Sequence, residues 1–464
     1  MTLKALLLAA IIAAPATAQT LRPDQTAFKD LYKQLVETDT TLSAGSCTLA
    51  AERMATRLKA AGFKAGDITM FADSKHPKEG GLVAILPGID AKAKPILLLA
   101  HLDVVEAKRA DWTRDPFVMV EEGGYLYGRG TFDDKAQAAI FTDTLIRYKV
   151  AGKSPKRTLK LALTCGEETT DAFNGADWLA QNKPALIAAE YAINEGGGGR
   201  YDTAGKQMGL GVQVGEKTVQ NYQMQATNPG GHSSVPRPDN AITDLSRAIT
   251  AVNTHEFPVQ FNDTTRAFFG LMAKATPPAI GNAITSLMTN PQDAAAAAIV
   301  NRDPQFHSTL RTTCVTTLIN AGHANNALAQ RATANVNCRL FPGTDPEAIR
   351  TELARVVGNE KVAVTLTPPV RPVAVSPPLN PAVLGPMRAV AEKHFPGVPF
   401  GLTMSTGATD AIFLSPIGIP TYGAPGMFID PDGNGIHGLN ERIRVTSLMQ
   451  GRDYLDDLVH TLAD

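Results

Sequence analysis

The chain has almost no excess of charge of either sign. Its 464 residues include 44 lysines and arginines against 45 aspartates and glutamates, which gives a formal net charge of −1. Proteins that bind nucleic acid or anionic membranes usually carry a surplus of basic residues, because those partners are recognised through their negative charge. The balance argues against both partners, and the length predicts roughly two to three domains with ordinary globular cores.

Long apolar runs are also scarce, and the longest one lies at the N-terminus. Lys4 is followed by the apolar residues 5–14 and then by the small residues 16–18. This layout is typical of a secretory signal peptide that is cut after Ala18. An uncleaved tether is the alternative, although the run is too short to span a bilayer comfortably. We expect residues 1–18 to be removed and the mature protein to be periplasmic or secreted, without integral membrane association.

Cysteine is the third scarce feature, with four residues in the whole chain. Four scattered cysteines are too few for a disulfide scaffold, although an exported chain permits bridges. Cys314 and Cys338 lie in two strand-like runs that could pair as neighbours, so a bridge between them and two buried free thiols both stay open. Cys165 stands beside candidate metal ligands, and we predict that it simply packs in the core.

Acidic residues and histidines follow several of the short apolar runs. His101 comes directly after residues 95–100, and Glu195 follows the run that ends at residue 193. Glu167 and Glu168 stand just beyond the run of residues 159–165. In an open parallel sheet the carboxyl ends of neighbouring strands converge on one crevice. We therefore expect these side chains to meet in a single site.

Strand and helix patterns alternate from about residue 82 to residue 213. The runs at residues 82–86 and 96–100 predict strands, and the apolar spacing of residues 134–148 predicts a helix. Such alternation is typical of a parallel sheet covered by helices.

The pattern changes near residue 215, where residues 219–227 alternate between apolar and polar as a half-exposed strand does. An α+β unit follows, with predicted helices at residues 240–253, 276–309 and 345–357 and predicted strands at residues 312–319, 333–340 and 362–366. His437, another metal-ligand candidate, appears after this unit and after the proline-rich residues 368–381. We therefore predict a catalytic domain of residues 19–214 and 371–464 that is interrupted by an inserted domain of residues 215–370.

Amide hydrolysis near neutral pH needs an activated water, a base for its proton and positive charge for the developing oxyanion. Two metal ions supply the first and the third requirement together, and they need a bridging carboxylate, further carboxylates and a histidine each. The chain offers Asp133 as the bridge, His101 and Glu195 for one metal, and Glu168 and His437 for the other. Each residue alone has a simpler interpretation as an ion pair, a helix cap or a turn, so only the joint occurrence favours the metal site.

Glu167 is the predicted general base. Adjacent residues that leave a strand point in different directions, so Glu168 can bind a metal while Glu167 stays free. Asp103, two residues after His101, can accept the imidazole N–H and fix the orientation of that ring. Both assignments place catalytic groups at the same strand ends as the ligands.

These residues resemble the motifs of the co-catalytic zinc peptidases of family M20, which include carboxypeptidase G, the yeast vacuolar Gly-X carboxypeptidase, aminoacylase and succinyl-diaminopimelate desuccinylase. The resemblance runs from about Thr26 to the C-terminus and rests on residues 101–105, 128–135, 167–168, 230–234, 326–328, 339 and 437–442. It implies the ligand and base roles given above. It also implies a zinc-peptidase catalytic domain with a mixed, largely parallel sheet flanked by helices, plus an inserted α+β lid and dimerisation domain.

The resemblance implies functional residues in the inserted domain as well. His232 resembles the lid histidine that polarises the scissile carbonyl, either in its own site or, in dimeric members, in the partner's site. Asn326 and Arg339 resemble the residues that bind the free carboxylate of the substrate, and the guanidinium fork of Arg339 suits that ligand, although a plain surface arginine is the alternative. Gly407 lies in a turn that resembles the substrate-facing turn of the family.

The sequence thus predicts an exported two-metal amidohydrolase, a carboxypeptidase or dipeptidase that cleaves the amide bond next to a free carboxylate. Two zinc ions are the expected cofactors, and mixed carboxylate and imidazole sites also accept cobalt and manganese. An N-acyl-amino-acid hydrolase is the alternative, and a non-catalytic peptide-binding or metal-binding protein is an alternative of another class, against which the intact Glu167 argues. The expected partners are small peptides or N-acyl amino acids, and a homodimer stays open.

Overall fold

The computed structural model describes residues 21–169 and 173–464. The predicted signal peptide, residues 1–18, lies outside the described residues. In the part of the chain that the structure describes, none of the helices has the length and apolar character that crossing a membrane requires.

Helices and strands alternate along most of the described chain. The helices are α1 (Pro23–Val36), α2 (Cys47–Ala60), α3 (Lys135–Val150), α4 (Gly175–Asn182), α5 (Pro184–Ile187), α6 (Ala241–Thr254), α7 (Asp263–Ala275), α8 (Pro278–Thr289), α9 (Ala294–Val300), α10 (Pro304–Thr309), α11 (Pro346–Val357), α12 (Pro381–His394), α13 (Ala411–Leu414) and α14 (Val445–Ala463). The strands are β1 (Ile68–Asp73), β2 (His76–Leu86), β3 (Ile96–His101), β4 (Val120–Glu122), β5 (Tyr125–Tyr127), β6 (Leu159–Thr164), β7 (Tyr191–Asn194), β8 (Gly197–Tyr201), β9 (Gln207–Glu216), β10 (Thr218–Thr227), β11 (Gly231–His232), β12 (Thr313–Ala321), β13 (Ala327–Leu328), β14 (Arg331–Leu340), β15 (Val362–Leu366), β16 (Phe400–Ser405), β17 (Thr421–Gly423), β18 (Phe428–Ile429) and β19 (Arg442–Arg444).

A ten-stranded mixed sheet is the largest sheet of the molecule. Its strand order is β1-β2-β6-β3-β7-β17-β9-β8-β18, and β16 also pairs with β9. β3 runs parallel to both β6 and β7, whereas β1 and β2 pair antiparallel with their neighbours and β8 pairs antiparallel with β9. The predicted α/β fold class, a mixed sheet flanked by helices, is therefore confirmed. The sheet begins with β1, before the first predicted strand. Only Ile68 and Phe71 of β1 are buried, so the apolar pattern of this strand is too weak to recognise in the sequence.

The central strands are apolar because both faces of the sheet are covered. All six residues of β3 and all six of β6 are buried. Leu98 and Leu161 face a core that contains α1, α2, α3 and α14, while Leu97 and Leu99 face a second core that contains Leu179 of α4. This double cover fixes the carboxyl ends of β3, β6 and β7 side by side at one edge.

A four-stranded antiparallel sheet, in the order β12-β14-β10-β15, has a hydrophobic core of its own. Tyr222, Met224 and Val336 point from this sheet towards α6 and α11. Cys314 of β12 and Cys338 of β14 form a disulfide with Cα atoms 4.1 Å apart, so the bridge rather than the free thiols is present.

The segment predicted to be helical at residues 276–309 forms α8, α9 and α10, as expected. The preceding helix α7 packs against α8 and against β16 of the ten-stranded sheet. Thr264 also donates a hydrogen bond to the main-chain oxygen of Val214 in β9 (2.8 Å). These helices thus contact the larger sheet, and the domain boundaries at residues 214/215 and 370/371 stay a prediction.

The prediction that Cys165 merely packs in the core is wrong. Cys165 is bonded to Cys47, and their Cα atoms lie 6.0 Å apart. Cys47 is the first residue of α2 and Cys165 directly follows β6, so their 118-residue separation is closed only by the tertiary fold. No local pattern in the sequence marks this pairing. The bridge attaches α2 to the turn that carries Glu167.

Candidate metal centre and active site

The five predicted metal ligands and Glu167 converge at the carboxyl ends of three neighbouring strands. His101 is the last residue of β3, Glu167 and Glu168 follow β6, and Glu195 follows β7. Because β3 lies between β6 and β7, these ends are adjacent. Asp133 reaches the same place from the loop before α3, and His437 reaches it from the loop before β19. The structure brings all six side chains together.

Asp133 lies between His101 and His437. This is the position expected of a carboxylate that bridges two metal ions when each ion has its own histidine. Its Oδ1 lies 3.2 Å from His101 Nε2, and its Oδ2 lies 3.1 Å from His437 Nε2. His101 Nε2 is also 3.8 Å from Glu195 Oε2, and His437 Nε2 is 2.8 Å from Glu168 Oε1. Two donor groups result, one with His101 and Glu195 and one with His437 and Glu168, and they share Asp133.

The donor set fits two divalent cations. The Nδ1 atom of His101 lies 3.0 Å from the main-chain oxygen of Asp103, which leaves Nε2 as the nitrogen that faces the carboxylates. Within the described residues, the Oε1 atom of Glu195 is buried without a hydrogen-bond partner. Imidazole nitrogens and carboxylate oxygens are ordinary ligands of zinc. A third donor group, which combines His101, Glu167 and Glu168, means that Glu167 could also act as a ligand.

Negative charge accumulates in this centre. Burial is the main cause that raises the pKa of Glu167, Glu168 and Glu195, and repulsion from neighbouring carboxylates, with Asp133 common to all three, adds to it. Hydrogen bonds to Asp133 and Glu168 raise the pKa of His437 to about 10. Such a cluster of carboxylates favours the binding of cations, and metal ions are the cations that match its carboxylate and imidazole donor atoms.

Asp103 contacts more parts of the metal centre than its spacing from His101 predicts. The ring of His101 approaches the main-chain oxygen of Asp103 more closely than its Oδ1 atom, which lies 3.5 Å from Nδ1. The carboxylate instead accepts hydrogen bonds from the main-chain N–H groups of Glu167 (3.3 Å) and Glu168 (3.0 Å). Asp103 therefore orients both the histidine and the backbone that carries the predicted base.

Asp410 is a buried carboxylate of the site that sequence reasoning did not single out. Its Oδ1 accepts a hydrogen bond from Asn174 (2.7 Å), and its Oδ2 accepts one from Thr164 at the end of β6 (2.9 Å). Asn174 also donates to the main-chain oxygen of Gly166 (3.1 Å). These contacts hold the turn that leads to Glu167. The only available signal was the position of Asp410 in the predicted substrate-facing turn.

A cavity of about 420 Å³ opens onto the metal centre. Glu167, Glu168 and His437 line one side of it, and Arg339 and Gly407 line it as well. The structure therefore brings two of the three predicted substrate-binding residues to the centre.

Arg339, on β14, lies at this cavity. Its Nε donates to the Oδ1 of Asn337 (3.2 Å) on the same strand. None of the acidic side chains in residues 21–169 and 173–464 forms an ion pair with it, and burial lowers its pKa. A half-buried guanidinium of this kind is suited to a carboxylate, which can accept two parallel N–H bonds.

His232 and Asn326 lie elsewhere, on the small ribbon formed by β11 and β13. His232 pairs with Ala327, and the N–H of Ser233 donates to the main-chain oxygen of Asn326 (3.0 Å). Both side chains are exposed. Neither is among the described residues that line the cavity. Within one chain, the structure does not bring these two predicted residues to the metal centre.

Comparison with known proteins agrees with this geometry. Residues 97–461 match the sequence model of Peptidase family M20/M25/M40. The human N-fatty-acyl-amino acid synthase/hydrolase PM20D1 is 26% identical over 401 residues, which cover 84% of this chain and 78% of that protein.

Two solved structures share the fold. An M20 family metallo-carboxypeptidase from Sulfolobus solfataricus, Sso-CP2, has a TM-score of 0.70 at 17% identity and covers 95% of this chain and 99% of its own. The YXEP protein of Bacillus subtilis, a dinuclear metal binding peptidase from the M20 family, has a TM-score of 0.59 at 12% identity and covers 95% and 98%. The predicted family is confirmed: the chain belongs to peptidase family M20, a family of dinuclear metal-binding peptidases and amidohydrolases, and is a hydrolytic enzyme.

Proposed function

We propose that the enzyme cleaves the amide bond next to a free carboxylate, as a metallo-carboxypeptidase or dipeptidase. The observation that carries this proposal is the position of Arg339. Its guanidinium, without an acidic partner in the described chain, lines the same cavity as Glu167, Glu168 and His437. A substrate whose carboxylate binds Arg339 would extend its neighbouring amide towards the metal ligands.

Glu167 is suited to move the proton in this reaction. It lines the cavity, and burial together with the nearby Asp410 and Glu168 raises its pKa well above the ordinary value of a glutamate. A base with a raised pKa can take a proton from water and return it to the leaving nitrogen. Two divalent cations, for which we propose zinc, would supply the positive charge that acidifies the water and polarises the carbonyl oxygen.

An N-acyl-amino-acid hydrolase is the second candidate, and the similarity to human PM20D1 favours it. Its substrates carry the same free carboxylate, so Arg339 does not discriminate between the two candidates. The deciding experiment measures release of one free amino acid from dipeptides and from N-acyl derivatives with the same C-terminal residue. Faster turnover of the peptides supports the first candidate, and faster turnover of the acyl compounds supports the second.

The metal is tested in the same assay. After chelation, zinc, cobalt or manganese is restored separately, and turnover that returns best with zinc at equal metal content supports the proposed cofactor. Two bound metals without release of an amino acid from any of these substrates would contradict both candidates and leave a substrate outside the panel.

Replacing Arg339 by alanine should impair the use of substrates that carry a free carboxylate. Loss of one partner of a buried charge pair costs about 2 kcal/mol or more, so we expect KM to rise about 30-fold. C-terminally amidated substrates should be affected far less. Arg331→Ala, an exposed arginine at the other end of β14, is the matched control. An equal loss for amidated and free substrates would mean that Arg339 supports the lid rather than the substrate.

We also propose a homodimer formed through β12. This strand is an edge of the four-stranded sheet, and it exposes Val315, Leu318 and Ile319 at 55%, 69% and 62%. A second copy would cover these side chains, and the exposed His232 could then act in the site of the partner. Light scattering at micromolar concentration tests this arrangement, and a monomer that persists there would contradict it.

The mature chain is proposed to be exported. The support is the signal-like pattern of residues 1–18 together with two disulfides, which persist in oxidising compartments. N-terminal sequencing of the protein recovered from cell fractions should give Gln19 as the first residue, outside the cytosol. An intact Met1 in the cytosolic fraction would contradict export.

A further inference from the structure

A buried ion pair joins the two loops that carry Asp133 and His437. The side chains of Arg129 and Glu441 are 2% and 1% exposed, and Nη1 lies 2.8 Å from Oε2. The Nη2 atom of Arg129 also donates to the main-chain oxygen of Gly438, directly after His437 (2.6 Å). One guanidinium thus contacts the residue that follows His437 and the residue that precedes β19.

The Glu441 carboxylate in turn binds the backbone of the Asp133 loop. Its Oε2 accepts a hydrogen bond from the N–H of Gly130 (2.9 Å). Its Oε1 accepts hydrogen bonds from the N–H groups of Phe132 (2.8 Å) and of Asp133 itself (3.2 Å). Charge-assisted bonds to main-chain donors are strong and directional. Glu441 therefore sets the position of the bridging residue from the loop that carries the second histidine.

The His437 loop needs such support because its backbone is strained. Asn434, His437 and Asn440 have φ angles of 56°, 57° and 54°, in the left-handed region that residues other than glycine rarely adopt. Strained backbone of this kind persists only where the surrounding structure holds it. The side chain of His437 is 54% exposed, so packing of its ring does not hold the loop. The described contacts that hold it include those of Arg129 and Glu441, a hydrogen bond from the N–H of Thr113 to Asn440 (3.1 Å), and one from the N–H of Asp430 to the buried Asn434 (2.8 Å).

The other metal position is anchored differently. His101 is the end of a fully buried strand, and its ring is oriented by Asp103. Glu195 directly follows β7, which pairs with β3. Asp133, which both positions share, has a second anchor because α3 begins two residues later in the core. The position that contains His437 therefore depends more on the Arg129–Glu441 pair than the other position does.

We propose that Arg129 and Glu441 are positioning residues for one of the two metal ions, the one assigned to Asp133, Glu168 and His437. This inference rests on the proposed metal centre but not on the identity of the substrate. Weakening the pair should release the His437 loop and lower the affinity of that metal position selectively. The position that contains His101 and Glu195 should keep its metal.

The test uses Arg129→Lys and Glu441→Gln in the full mature chain, with zinc alone as the probe. Metal content is measured by atomic absorption after dialysis, and stepwise affinities are measured by competition with a chromogenic chelator. We expect the wild type to bind two zinc ions, and both variants to bind one normally and the other about 10- to 100-fold more weakly. Circular dichroism identifies any variant that does not fold. Arg129→Lys keeps the buried charge, so it carries the test if Glu441→Gln unfolds.

Arg452→Lys is the matched control. Arg452 is also 1% exposed and pairs with the buried Asp143 (2.9 Å), but it lies outside the metal centre. It should lose stability as Arg129→Lys does while it binds two zinc ions with unchanged affinity. Equal weakening of zinc binding in both variants would overturn the proposal, because it would show a general effect of stability.

Double variants identify which position is weakened. Adding His437→Ala to Arg129→Lys should cause little further loss of zinc, because both changes act on one position, whereas adding His101→Ala should remove the remaining ion. The opposite pattern, or loss of both ions by Arg129→Lys alone, would overturn the proposal. A wild type that binds no zinc would overturn the metal centre itself. A wild type that binds two ions but hydrolyses nothing would refute only the proposed function.

Discussion

Replacing Glu167 by glutamine should reduce turnover by about 10³-fold while both metal ions remain bound. Glutamine has nearly the same shape as glutamate, but its amide cannot take a proton from water. Glu167 lines the cavity beside Glu168, which lies 2.8 Å from His437 and is the assigned ligand. The loss should therefore appear in kcat, and KM should change little because the carboxylate contact at Arg339 is untouched.

The measurement combines steady-state kinetics with metal analysis of the same sample. Retention of two metals by an inactive Glu167→Gln variant supports the role of a base. Loss of one metal would show that Glu167 is a ligand, as its place in the donor group with His101 and Glu168 also allows. Full activity of Glu167→Gln with both metals bound would show that Glu167 is not the base.

Replacing Asp133 by alanine should have the second large effect, the loss of both metal ions at micromolar zinc and with them all detectable turnover. Each of its oxygens faces a different histidine, at 3.2 Å and 3.1 Å, so both metal positions lose a ligand at once. Atomic absorption of the dialysed variant measures the effect directly. Thermal unfolding with and without added zinc adds a second measurement, because a ligand that binds only the folded state raises Tm.

The neighbouring Asp134→Asn variant is the control for Asp133→Ala. Asp134 is buried more deeply than Asp133, but it belongs to neither of the two donor groups that share Asp133. It should retain two zinc ions. If Asp133→Ala still binds two ions with wild-type affinity, the shared carboxylate is not a bridge and the assignment of the metal centre is wrong.

The position of the metal centre could be predicted because its ligands are tied to local patterns. His101, Glu168 and Glu195 each follow an apolar run, and parallel strands bring their carboxyl ends to one edge. The runs were therefore enough to predict that these three side chains meet, whereas Asp133 and His437 lie in loops and were assigned from the ligands that a two-metal site needs and from the resemblance. Their individual roles, including the division between the base and the ligands, stay predictions until variants are measured.

Other parts of the site depend on contacts that no local pattern shows. Asp410 meets Thr164 across 246 residues, and Glu441 meets the N–H of Asp133 across 308. The sequence does not distinguish a buried carboxylate that accepts several hydrogen bonds from an exposed carboxylate. The weakly amphipathic β1 was missed for a related reason, because an edge strand contributes few buried residues to its apolar pattern.

The inserted unit shows a further limit of prediction from the sequence. The strand that carries Arg339 was predicted from its alternation, and its polar face does reach the cavity. His232 and Asn326 were assigned from the resemblance alone, and in one chain they lie on an exposed ribbon. The folding pattern of a single chain does not reveal which site an exposed residue of this kind serves.

The disulfide between Cys47 and Cys165 connects the structure of the turn that carries Glu167 with the compartment in which the chain folds. It fastens the turn before Glu167 to the first residue of α2, and Asn174 holds the same turn through the main-chain oxygen of Gly166. A bond of this kind forms after a chain has left a reducing compartment. The catalytic turn of an exported chain would thus acquire its last covalent restraint only at its destination, and a copy retained in the cytosol would lack that restraint.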